Sequence, residues 1–224
     1  MTDPLPRLRI TRRSGKVHVI ATAGAALDVD GGSLMHADDG TIDVRATGST
    51  VLEVRCPAGS DLTISTSSGN IKVEGDAGSV KVTTKSGALR IERAAAVNAR
   101  GASGRVEIGA CAGECCVSFM SSNVHIGAAG RAVVATVSGN IEVGETDDAE
   151  VKTVSGKITI GARGGGRLAA RAISGSVSVS VPTGSHPSTR LKAVSGRVRC
   201  EPAPGTDGEI KVASVSGAIS VTCR

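Results

Sequence analysis

Thiols, imidazoles and a run of cations are the side chains here whose types and spacing could do chemistry. The densest group is Cys111-Ala112-Gly113-Glu114-Cys115-Cys116, where thiolates could bind a soft metal or cycle between redox states. Structural zinc sites usually take two ligand pairs, each spaced by roughly two to four residues. No second pair stands nearby. Neighbours along a strand point to opposite faces, which sends Cys115 inward and Cys116 outward. The group reads as small packing and surface thiols, with no metal and no cofactor. With no export signal ahead of them, Cys56, Cys111, Cys115, Cys116, Cys200 and Cys223 are expected as reduced thiols rather than a disulfide framework. Cys200 takes the place of a core Val and is expected to pack. His18 and His125 share an outward column in separate repeats, while His36 and His186 fall in loops. No Ser-His-Asp set or carboxylate pair can be assembled from the spacing, so no catalytic residue is assigned.

The cations say more. Between Val151 and Cys200 the chain has nine Lys/Arg and no Asp or Glu. Lys152, Arg171 and Lys192 share one outward column on consecutive repeats, and Lys157, Arg197 and Arg199 project from the following strand. Like charges stacked across neighbouring strands repel, so an anionic partner would give a reason to keep them. These six are the candidate anion- or partner-binding residues. The opposite charge lies just before them, in Glu142, Glu145, Asp147, Asp148 and Glu150, and could meet the basic face of a second copy.

The elements that position these groups follow from composition and periodicity. The chain has 224 residues, 26 Lys+Arg against 21 Asp+Glu, 30 Gly and a single aromatic, Phe119. An aromatic core is excluded. So is base stacking by aromatic side chains, which argues against the usual mode of single-strand nucleic-acid binding. No apolar run reaches the roughly 18 residues of a membrane span, and Met1 to Arg13 lack the apolar stretch of a secretory signal. The expectation is a cytoplasmic protein, with envelope association only through a partner.

The pattern Ser-Gly-x-apolar-x-apolar recurs along the chain, as in Ser68-Gly69-Asn70-Ile71-Lys72-Val73 and Ser155-Gly156-Lys157-Ile158-Thr159-Ile160. Eleven copies fit, two of them degenerate: Asp39-Gly40 with Ile42 and Val44, and Ser121-Ser122 with Val124 and Ile126. From Ser68 onward the copies are 17 to 21 residues apart. Each has a second apolar pair upstream, such as Leu62 and Ile64 or Val80 and Val82. Alternation of period two means strands with one buried face, and Gly supplies the bend between them. This predicts an all-β, parallel β-solenoid with 17–21 residues per coil, equivalent residues of successive repeats stacking about 4.8 Å apart. A right-handed winding is preferred, because a left-handed hexapeptide helix needs an apolar-Gly signal three times per coil and finds it once. Val137, Val154, Ile173, Val194 and Val215, each just before its Ser, are expected to turn inward at the bend. Residues 1–224 are expected as a single domain, with the irregular coils of 20–62 available as a cap.

The stretch from Val54-Arg55-Cys56-Pro57 through Ser68-Gly69-Asn70-Ile71-Lys72-Val73, with Thr136-Val137-Ser138-Gly139-Asn140-Ile141 and its later copies, resembles the bacterial putative-adhesin β-strand-repeat family. The resemblance spans roughly residues 40 to 224. It implies a β-helical fold and a domain of unknown function for which no catalytic residues are defined. The functional expectation is a non-enzymatic scaffold or binding module. It would act through solenoid faces or uncapped ends on a protein or on a second copy. The alternative is an electrostatic binder of an anionic polymer through the basic 152–199 face. Polysaccharide processing is disfavoured by short coils and the lack of aromatic platforms.

Overall fold

The computed structural model describes residues 5–38, 40–46 and 51–224, which form strands and turns without a helix. They fall into two compact units, Met1–Ala112 and Gly113–Arg224. The first holds β1 (Arg7–Ser14), β2 (Val17–Thr22), β3 (Asp28–Asp30), β4 (Ser33–His36), β5 (Thr41–Ala46), β6 (Leu52–Pro57), β7 (Asp61–Ser68), β8 (Ile71–Ser86) and the start of β9 (Ala88–Ser138). The second holds the rest of β9, then β10 (Ile141–Ser155), β11 (Ile158–Ala162), β12 (Arg167–Ser174), β13 (Val177–Val181), β14 (Ser188–Ser195), β15 (Val198–Cys200), β16 (Glu209–Ser216) and β17 (Ile219–Cys223). Among the described residues no helix is long and apolar enough to cross a membrane.

Period-two alternation builds the core. In β7, Leu62, Ile64 and Thr66 are buried while Asp61, Thr63 and Ser65 face out. Equivalent residues stack in parallel register, Ile71 on Leu89 in the first unit and Ile141 on Ile158 on Val177 in the second. The interior is thus made of Val, Ile and Leu columns in a β-solenoid-like arrangement. Most of its bends leave no room for a side chain, although Ser122 takes the Gly position in the Ser121 copy. Gly156 has φ of 138°, and a Cβ there would lie 2.1 Å from the carbonyl oxygen of Gly139 in the neighbouring coil.

The coils do not stack in chain order at the ends, contrary to the expectation for successive repeats. β1 pairs with both β5 and β7, and β2 with both β6 and β8, so the first coil lies between two that follow it in sequence. β3 and β4 run antiparallel along β6 and β5. In the second unit β16 lies between β12 and β14, and β17 between β13 and β15. A coil slid between two others has its backbone groups paired along both edges, which removes the cost of leaving them unmatched. Among the described residues the 188–200 coil is left outermost, with one neighbour.

Two packing expectations are corrected. Cys200 is exposed, because its coil has no neighbour on one side. Val137, Val154, Ile173, Val194 and Val215 are exposed as well. Strand alternation persists right up to the corner, so the residue after an inward Thr153 or Ala172 must point out. Of the degenerate Asp39 copy, Asp39 lies outside the described residues; its Val44 is buried in β5.

Candidate functional site

Alternation puts Lys152, Arg171 and Lys192 on the outer face of the arms that precede the Ser-Gly corners, and all three are exposed. Lys152 lies opposite Arg171. Arg171 and Lys192 each lie opposite Ala213, which the inserted coil puts between them. The column is therefore not three adjacent cations: a neutral rung relieves part of the repulsion. Lys152 Nζ is 2.6 Å from Glu150. That bond, with the charges of Arg131 and Arg171, holds the Glu150 carboxyl below the usual carboxylate range. Lys157, Arg197 and Arg199 lie past the corner on the second arms. Backbone bonds order that face as Lys157, Ser176, Ala218, Arg197, so two neutral rungs separate its cations. Arg199 pairs with Glu201 at 2.7 Å. The fold brings Lys152, Arg171 and Lys192 together and leaves the other three apart.

Beside the Lys152 column runs the apolar one whose direction the sequence pattern concealed. Its members are Val137, Val154, Ile173, Val215 and Val194 in spatial order, as the neighbouring Ser138, Ser155, Ser174, Ser216 and Ser195 pair in that order. Met120 extends it, since the Ser121 and Ser138 hydroxyls are 3.5 Å apart. The exposures run from 40% at Val154 to 83% at Val194. An open groove of about 1020 Å³ is lined by Val154, Ile173, Val194 and Val215 together with Lys152, Arg171 and Lys192.

The corner beneath is held by hydroxyls that sequence reasoning missed. Thr66, Thr84 and Thr153 are buried, and each donates to the carbonyl two residues on, at 3.2, 3.1 and 3.2 Å. Thr136 donates to Thr153 at 3.1 Å. The recurring Thr-x-Ser-Gly was the available signal: an inward polar residue needs a local acceptor. In the first coil Arg12 replaces the Thr, with Nε 2.5 Å from the Ser14 carbonyl and Nη1 2.9 Å from that of Lys16.

Elsewhere the polar groups answer one another. His18 Nε2 is 2.5 Å from Glu74, whose carboxyl is held low by Lys72 first and His18 second. His125 is 3.2 Å from Glu142. Burial pushes the Cys56 thiol up, which makes it a poor nucleophile. A cleft of about 640 Å³ lined by Arg131, Asp148, Arg167 and Glu209 is internally satisfied. In it Arg167 is 3.3 Å from Glu209, and its N–H donates to Asp148 at 2.7 Å. Among the described residues no group of three or more His, Cys, Asp or Glu could hold a metal ion.

No curated protein matches the sequence. Two solved structures are similar. One is a putative adhesin from Bacteroides fragilis NCTC 9343, 14% identical over 98% of this chain and 92% of that one, with a TM-score of 0.47. The other is a putative cell adhesion protein from Clostridium sporogenes ATCC 15579, 9% identical over 98% and 93%, with a TM-score of 0.27. The repeat register running from β1 to β17 coincides with a family match over residues 7–223, and the chain belongs to the Toastrack DUF4097 family.

Proposed function

We propose that this chain is a non-enzymatic binding module that docks a second copy of itself along the edge of the 188–200 coil. One observation carries the reading: among the described residues β14 and β15 have a single strand neighbour each, β16 and β17. The Ile219 N–H donates to the Arg197 carbonyl and the Glu201 N–H to the Val221 carbonyl, both at 2.9 Å. Alternate residues of a parallel ladder bond to one side, so the backbone groups of Val198 and Cys200 face the open edge. The interior positions Thr189, Leu191 and Ala193 are half-buried there, whereas Ile210 and Val212 one coil in are 2% exposed. Unpaired backbone beside partly covered apolar residues is the surface to which a further strand adds. Membership of the Toastrack family supports the non-enzymatic part of the reading. A right-handed winding belongs to it too, being the hand that parallel crossovers adopt.

Light scattering over a dilution series tests this. The expected mass rises above that of a monomer as concentration increases. Val198→Pro removes an edge N–H and no bond to β17, and should return the protein to a monomer. A wild-type protein that stays monomeric at every concentration refutes the reading. An electrostatic grip on an anionic polymer by all six cations is less well supported. The polymer would have to turn from one face to another and pass the neutral rungs Ala213, Ser176 and Ala218.

A further inference from the structure

The apolar column of the second unit is a surface feature with no packing role in its own coil. Its members stand on the outer face while the core columns beneath are complete, with Val151, Ala170 and Val212 each at most 2% exposed. Contiguous apolar surface on a soluble domain marks a contact site more often than chance exposure does. The charges around it restrict what can sit there. On the same outer face lie Lys152, Arg171, Arg190, Lys192 and Lys211, all exposed, against the carboxylates of Glu150 and Glu209, which Lys152 and Lys211 already engage.

We propose that this face binds an acidic amphipathic helix of a protein partner. Three arguments select that occupant. Charge complementarity is the first: an anionic flank is attracted by the cation column beside the apolar one. Length is the second. Six rungs from Met120 to Val194 cover about 24 Å at the usual strand spacing, which is about 16 residues of α-helix. A helical turn rises about 5.4 Å, so an i, i+4, i+7, i+11 stripe sets nearly one apolar side chain on each rung. The third is the exclusion of other surfaces. A second copy laid on this face would set Lys152, Arg171, Arg190 and Lys192 against like charges, since Glu150 and Glu209 are already held by Lys152 and Lys211. A lipid surface is usually entered by long or aromatic side chains, and here short β-branched ones dominate, with Phe119 turned inward at 4% exposure. The groove lined by Val154, Ile173, Val194 and Val215 gives the helix a concave seat.

The test uses the full chain and a fluorescent synthetic peptide of about 16 residues, Leu at the four stripe positions and Glu on both flanks. Fluorescence anisotropy should show saturable binding that weakens as salt is added. The scrambled peptide, equal in charge but without the stripe, should bind at least about tenfold more weakly. Val154→Ser with Ile173→Ser should cost about the same, as should Arg171→Glu with Lys192→Glu. The serine variant puts on this column a residue that the first unit already carries at Ser67, so a folded protein is expected and circular dichroism checks it. Cys200→Pro, which also removes an edge N–H and lies outside the groove's lining, should leave peptide affinity unchanged. No saturable binding, or equal binding of both peptides, overturns the proposal. So does retention of affinity in both double variants. Sedimentation with phosphatidylserine vesicles that the peptide fails to compete away also overturns it, in favour of a membrane surface.

Discussion

The residue just before the corner Ser has opposite chemistry in the two units. In the first it is Arg13, Ser67 and Lys85, all exposed, with the small, half-buried Ala102 at the Ser103 corner. In the second it is Met120, Val137, Val154, Ile173, Val215 and Val194, also exposed. Backbone direction and depth are the same, so the corner itself has no need of an apolar group. The second-arm faces differ in a parallel way. The first unit sets Glu53 beside His18, His18 beside Lys72 and Lys72 beside Arg90, a ladder that ends in an ion pair between Arg90 and Glu107. Mixed-sign ladders keep a sheet face solvated and discourage association. The second unit keeps ion pairs only at the ends of that ladder, His125 with Glu142 and Arg199 with Glu201, with the neutral Thr159, Ser178 and Ser220 between. Its first arms carry the apolar stripe. One architecture thus carries a self-satisfied face and an unsatisfied one, and the difference lies in outward residues that folding leaves free to vary.

The largest expected effect sets the constrained corner against the free column. Gly156→Ala places a Cβ 2.1 Å from the Gly139 carbonyl oxygen at a φ of 138°. Steric overlap and backbone strain together should cost about 3 kcal/mol. Val154→Lys with Ile173→Ser gives the second unit the column chemistry of the first, and should change stability by no more than about 0.5 kcal/mol. Urea denaturation of both variants is the measurement. A loss of several kcal/mol from the column variant would make the stripe a packing element and end the comparison.

The repeat frame was legible because fold-determining positions recur: Ile71, Leu89, Ile141, Ile158 and Val177 occupy one strand position and one core column. The corners were legible too, since at most of them a Cβ would lie about 2 Å from the neighbouring coil's carbonyl, which favours Gly. What could not be read was the order of coils. Gly217 stacks on Gly175, and Gly196 stacks on Gly217, an insertion that local periodicity cannot encode because every coil presents nearly the same edge. That insertion put Ala213 between Arg171 and Lys192. The direction of Val154 was misread for a different reason: an apolar residue next to a bend looks like core unless the hydroxyl of Thr153 is recognised as already occupying the inward position.

That hydroxyl sharpens the comparison at an intermediate scale. Thr84→Val in the first unit removes the bond to the Ser86 carbonyl and should cost about 1 kcal/mol. Thr153→Val removes the bond to the Ser155 carbonyl and also deprives the buried Thr136 hydroxyl of its acceptor. An unsatisfied buried group adds its own desolvation cost, so the loss should reach about 2 kcal/mol. Equal losses in the two units would mean that the hydroxyls act separately along the axis instead of as a coupled column.

The smallest effect concerns two carboxylates. Glu74 in the first unit and Glu150 in the second are both held below the usual carboxylate range, by Lys72 with His18 and by Lys152 respectively. A lowered folded-state value means that each contributes stability in full above the unfolded carboxylate value, and loses it as pH falls through the folded one. Both residues are only half-buried, so the contribution is screened by solvent and small. The partners make the two distinguishable. Lys152→Met leaves Glu150 only the through-space attraction of Arg131 and Arg171, and its carboxyl should climb back toward the ordinary range. Lys72→Met leaves Glu74 still bonded to His18 at 2.5 Å, so its carboxyl should rise less. Carboxyl-carbon NMR titration of the two variants reads both shifts directly. If Glu74 climbs as far as Glu150, the His18 bond adds nothing to Lys72. The first unit's ladder would then be no better satisfied at this point than the cation face of the second.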